Sequence, residues 1–111
     1  MTHIKSKTII EVVAHLIYNA HYVHGQRTLP SGLVLRLTQP MPNPKIELMR
    51  LNAFATPDEV ALIRDALEVI LICPHIEEVT SFVEYSDDRG RFHRRYGVIT
   101  LIPAPTTEAQ E

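Results

Sequence analysis

The stretch "EEVTSFVEYS" at 77–86, followed by "DDRG" at 87–90 and "RFHRRYGVITLIP" at 91–103, sets the terms for the whole fold. Two runs rich in β-branched and aromatic residues flank a polar break, which is the pattern of a β-hairpin. "DDRG" suits a type I turn followed by Gly90 in a left-handed bulge position. Such a turn fixes the register. It places Asp87 opposite Arg91, Tyr85 opposite His93, Glu84 opposite Arg94, Val83 opposite Arg95, Phe82 opposite Tyr96 and Val79 opposite Ile99. One face then carries Val79, Val83, Ile99 and Leu101. The other carries Phe82, Glu84, Phe92, Arg94 and Tyr96, with Val98 and Ile102 towards its base. The aliphatic face is the better core candidate, so the aromatic face is expected on the open side of the sheet.

Upstream lies a sharp helix start. In "TPDE" at 56–59, Thr56 is an N-cap, Pro57 takes the first helical position and Glu59 completes a capping box. The helix is expected to reach about Ile72 and to stop near Pro74. Its apolar surface is wide. Val60, Ile63, Leu67, Ile70 and Leu71 form one stripe, and Leu62, Ala66, Val69 and Cys73 form a second. The two cover roughly 200°, about twice what a one-sided helix needs. Packing from two directions, or contact with a second protein, would account for that width.

Further upstream, Leu33, Leu35 and Leu37 share one face of a short strand at 33–38, and "KIELMRLN" at 45–52 reads as its return strand. "QPMPNP" between them cannot sit in a sheet, because its three prolines remove three ladder donors. "GQRTLPSG" at 25–32 reads as a loop. Before it, Ser6 caps an amphipathic helix running to about residue 24, with Gly25 as its stop. Ile9, Val13, Leu16 and Ile17 lie on its apolar side, while Glu11, His15 and Tyr18 lie opposite.

The element order is α-β-β-α-β-β. It predicts an α+β domain at 1–102, built as a four-stranded antiparallel sheet with two helices on one face. A circular permutation of a ferredoxin-like arrangement would give the same order. Residues 103–111 read as a polar, disordered tail.

The chain has 111 residues, a formal net charge of −2 and one cysteine, Cys73. One domain follows from the length, and an internal disulfide is excluded. The N-terminus lacks a signal-peptide pattern, and the longest apolar run is residues 69–73, so a cytoplasmic protein is expected. The charge balance argues against a dedicated DNA-packing role but leaves room for a local basic patch.

Catalytic and metal signatures are weak. His15 and His24 project about 180° apart on a helix, and His21 with His24 gives half a metal site without a carboxylate or thiolate to complete it. Capping of the last helix carbonyls explains His21 and His24 as well. "CPH" at 73–75 puts a thiol near an imidazole, but Cys73 closes an apolar stripe, which predicts a buried, inert thiol. An enzyme assembled from His75, His93 and the acidic turn residues has no spacing to support it. No metal and no cofactor are expected.

Two functional readings follow. Excess apolar surface predicts a non-enzymatic interaction module that self-associates as a homodimer, with Leu62, Val69, Phe82 and Tyr96 as interface candidates. The alternative is a nucleic-acid-binding module built on "RGRFHRRYG" at 89–97. There Arg91, Arg94 and Arg95 would meet phosphate while Phe92 and Tyr96 stack on bases.

Overall fold

A computed structural model describes residues 6–19, 25–73, 75–86 and 89–104. These residues form a single α+β domain of two helices and a five-stranded antiparallel sheet. The elements are α1 (Ser6–Asn19), β1 (Gln26–Thr28), β2 (Val34–Gln39), β3 (Lys45–Leu51), α2 (Pro57–Leu71), β4 (Ile76–Ser86) and β5 (His93–Pro103). The strand order across the sheet is β1-β2-β3-β5-β4. Among the described residues, no helix is long and apolar enough to cross a membrane.

The expected four strands are therefore five. Gln26–Thr28, read from the sequence as loop, pairs with Val34–Arg36. Its three residues are all exposed, so they carry no apolar alternation to betray them. A tight turn creates the strand: the Leu29 N–H donates to Leu33 O at 2.8 Å, and the Gly32 N–H donates to Leu29 O at 2.9 Å. Gly32 sits at φ +92°, a conformation that side-chain-bearing residues rarely adopt.

The core lies between the two helices and one face of the sheet. Leu33, Leu35, Leu37, Ile46, Leu48 and Leu101 are fully buried there beneath Ile9, Val13, Ile63 and Leu67. The alternating leucines of β2 and the 3.6-residue stripes of the helices thus meet as their periods require. Pro44, also buried, closes the proline-rich connection, where Gln39 Nε2 donates to Asn43 O at 2.7 Å. The expected extension of α1 to residue 24, with His21 and His24, lies outside the described residues. Tail residues 105–111 do as well. Pro103, expected to open the tail, is instead the last residue of β5 opposite Ile76.

The capping box forms as its sequence requires. Glu59 N–H donates to Thr56 Oγ1 at 3.2 Å, and Thr56 N–H donates to Glu59 Oε1 at 2.9 Å. Glu59 does more than cap. Its other oxygen accepts from Arg50 at the end of β3 and, at 3.0 Å, from Ser31 Oγ in the β1–β2 connection. One carboxylate thereby ties the start of α2 to two sheet connections. Burial raises its pKa, but the hydrogen bonds from Thr56, Arg50 and Ser31 outweigh that and hold it below the ordinary 4.5.

A depressed folded-state pKa gives stability that is complete above the unfolded value and is lost as pH falls through the folded one. Glu59→Gln is therefore expected to cost about 1–2 kcal/mol at neutral pH through the lost cap and ion pair. It should also flatten the acid limb of a urea-stability profile below about pH 4.5, since Gln cannot titrate. An unchanged acid limb would show that other carboxylates govern it.

Candidate interaction surface

The C-terminal hairpin decides which side chains reach the surface, and its register differs from expectation by one residue. Tyr85 faces Arg94, Glu84 faces Arg95, Val83 faces Tyr96, Phe82 faces Gly97 and Val79 faces Thr100. A slip of one residue moves every side chain of one strand to the other face relative to its partner. β5 keeps Ile99 and Leu101 towards the helices, as expected. β4 is inverted. Val79, Val83 and Tyr85 join Arg94 and Tyr96 on the open face, while Phe82 and Glu84 join Arg95 and Gly97 on the helix side.

The cause lies at both ends of β4. Ile72, the C-cap of α2, adopts a left-handed conformation, and the short connection after it turns Ile76 inward to 3% exposure. Period two then carries Glu78, Thr80 and Phe82 to the same side. At the middle of β5, the backbone of Ala53 and Phe54 crosses directly over Gly97. A Cβ on Gly97 would lie 2.2 Å from Ala53 O. The missing side chain lets that segment lie directly against the strand. Phe82, opposite Gly97, packs on it through Phe54, with ring centroids 4.3 Å apart at an interplanar angle of 53°. Arg95 Cζ lies 3.9 Å from the centre of the Phe82 ring, within cation–π range.

On the opposite face Tyr85 meets Tyr96 edge-on, with centroids 5.5 Å apart and planes at 70°. Tyr85, Ser86, Phe92 and Arg94 enclose a shallow groove of about 360 Å³ near the hairpin tip. Gly90 adopts φ +69°, the left-handed geometry read from "DDRG". Asp87 and Asp88, and with them the expected Asp87–Arg91 pair, lie outside the described residues.

These positions correct the sequence-based site. Phe82 and Tyr96, expected side by side on one open face, lie on opposite faces of the sheet. Arg94 and Arg95 likewise diverge. Glu84 faces Arg95 and not Arg94. Leu62 is half-buried on α2, whereas Val69 is 62% exposed. Arg91 and Phe92 are exposed in the connection before β5. Three further exposed side chains, Leu51, Val79 and Tyr85, belong with the surface. Tyr85 and Val79 share a strand parity, a signal in the sequence that the wrong register assigned to the core.

Cys73 is half-buried and not enclosed, and its Sγ donates to His75 O at 2.9 Å, a backbone contact that leaves the imidazole out. His75 precedes β4, and His93 pairs with Ser86 at its far end. Their strand positions are separated by roughly 35 Å at about 3.3 Å per residue, so they do not converge. Among the described residues, no three His, Cys, Asp or Glu side chains form a group able to hold a metal ion.

No protein-family model matches the chain, and no curated protein or solved structure is detectably similar to it.

Proposed function

We propose that this chain is a non-enzymatic interaction module that self-associates as a homodimer through the exposed sheet surface of its C-terminal hairpin. The observation carrying the proposal is the exposure of β4. Ile76 is its one buried residue, and Val79, Phe82 and Tyr85 are 53%, 40% and 42% exposed. Large apolar side chains clustered on one element mark a partner site, whereas single ones do not. The exposed Val69 and Ile72 on α2 are fewer, which favours the sheet over the helix. The order β2-β3-β5-β4 supports reading the core as a permuted ferredoxin-like arrangement with β1 added at one edge. That comparison concerns topology and carries no function.

Size exclusion with light scattering, recorded at 260 and 280 nm, tests the proposal. The expected result is a species of about twice the 12.6 kDa chain mass, unchanged by Val69→Asp, with little 260 nm excess. A monomer at every concentration would reject self-association. A dimer split by Val69→Asp would move the interface to α2. Co-eluting nucleic acid that salt removes would favour the second reading. That reading is supported by the groove of Tyr85, Phe92 and Arg94, where a base could stack beside a guanidinium. The divergence of Arg94 and Arg95 weighs against it.

A further inference from the structure

We propose that β4 is the dimerisation strand: its free edge pairs antiparallel with the β4 of a second copy, about a two-fold axis that sets Phe82 opposite the partner's Phe82. This inference rests on the self-association proposed above and specifies how it is achieved.

The two edges of the sheet are built differently. β1 has three residues with Arg27 at its centre, and short, charged edges resist pairing. β4 runs for eleven residues, "IEEVTSFVEYS", without Pro, Gly, Lys or Arg. It pairs with β5 from Ile76 to Ser86 in one unbroken register. Two of its three acidic residues are already answered within the chain. Glu78 is bridged by Arg64 of α2 at 2.5 Å, and Glu84 stands opposite Arg95. Among the described residues the strand carries no proline and no bulge, and Glu77 is the one charge on its open face.

The exposure is also two-sided. Val79 and Tyr85 point to the open face and Phe82 to the helix side. A partner packed face to face would cover one set. A strand added at the edge supplies lateral neighbours to both.

Symmetry then selects a register. A two-fold axis normal to the sheet pairs residues of the same parity, so it must pass through one residue of β4. An axis at Ser81 sets Glu78 against the partner's Glu84, and the same clash recurs on the other side. An axis at Thr80 sets Glu77 and Glu78 against the partner's Val83 and Phe82. An axis at Phe82 sets Val79 against the partner's Tyr85, Ser81 against the partner's Val83, Thr80 against the partner's Glu84 and Glu78 against the partner's Ser86. Within the strands Val79, Phe82 and Tyr85 meet apolar or aromatic partners, Val83 meets a serine, and no like charges oppose each other.

Charge agrees with this choice of an antiparallel pairing. At the start of β4 a groove of about 600 Å³ is lined by Arg64, Glu68, His75, Glu77 and Glu78, an acidic excess. At its far end, residues 86–96 contain four arginines against two aspartates. Antiparallel pairing brings each copy's basic end beside the other's acidic end, twice over.

The test is a cross-link that only this register permits. In a Cys73→Ser background, Val79→Cys and Tyr85→Cys lie about 20 Å apart within one chain, too far to bridge. Across the proposed axis they are direct partners with Cβ atoms about 5 Å apart. Under mild oxidation the double variant, and an equimolar mixture of the two single variants, should form covalent dimer at least about tenfold faster than either single variant alone. Should the double variant fail to fold by circular dichroism, the mixture carries the same comparison. A light-scattering dimer without this bias would overturn the β4 register and leave self-association standing. A monomer would overturn both.

Discussion

Gly97→Val is expected to lower stability by about 3 kcal/mol and the Tm by roughly 15 °C. A Cβ at this position meets three backbone atoms: Ala53 O at 2.2 Å, Ala53 C at 2.6 Å and Phe54 N at 2.8 Å. A flexible side chain could swing away from such a contact. A main-chain segment cannot, because Asn52 and Ala53 are anchored by hydrogen bonds to Arg95 O at 2.7 Å and Arg50 O at 3.4 Å. Gly97→Ala should show most of the loss already, since the clash arises at the first carbon added. Urea unfolding of the two variants against wild type provides the measurement. If Gly97→Ala is as stable as the parent, the crossing segment yields freely, and the close packing over Phe82 has no energetic consequence.

Leu48→Ala should cost about 3–4 kcal/mol, while Val79→Ala on the unpacked side of β4 should change stability by no more than about 0.5 kcal/mol in the monomer. Leu48 is fully enclosed between β2, β5 and the helices, so truncation removes transfer free energy and leaves a cavity that its rigid neighbours cannot close. Val79 faces Thr100 across the hairpin and is half exposed, so little is lost. The contrast fixes which face of the sheet is covered. It also separates folding from association, because Val79→Ala is expected to weaken the dimer while leaving the monomer intact. Comparable losses for the two variants would mean that the open face is packed in solution.

Much of this architecture was legible in the chain. "TPDE" marked the start of α2 to the residue, because a capping box and a first-position proline act through local geometry alone. The alternation of Leu33, Leu35 and Leu37 identified a half-buried strand, since a two-residue period has one physical reading when a helix layer covers one face. The number of strands was less accessible. Gln26–Thr28 has no apolar pattern, and its pairing depends on a turn at Leu29–Leu33 whose hydrogen bonds are not written in composition.

The hairpin register shows where local reasoning ends. Val79 and Val83 on one parity, with Ile99 and Leu101 opposite, made a plausible aliphatic face. That inference assumes that burial disciplines the alternation along the whole strand. β4 extends beyond the helices at the edge of the sheet, so no packed layer enforces the pattern there. The sequence by itself determined the helices, the central strands and the set of side chains available to the core. The tertiary structure decided which way β4 faces, through the inward turn of Ile76 and the passage of Ala53 and Phe54 over Gly97. The first depends on how α2 ends, the second on a contact between segments far apart in the chain, and a period of two cannot say on which residue it begins.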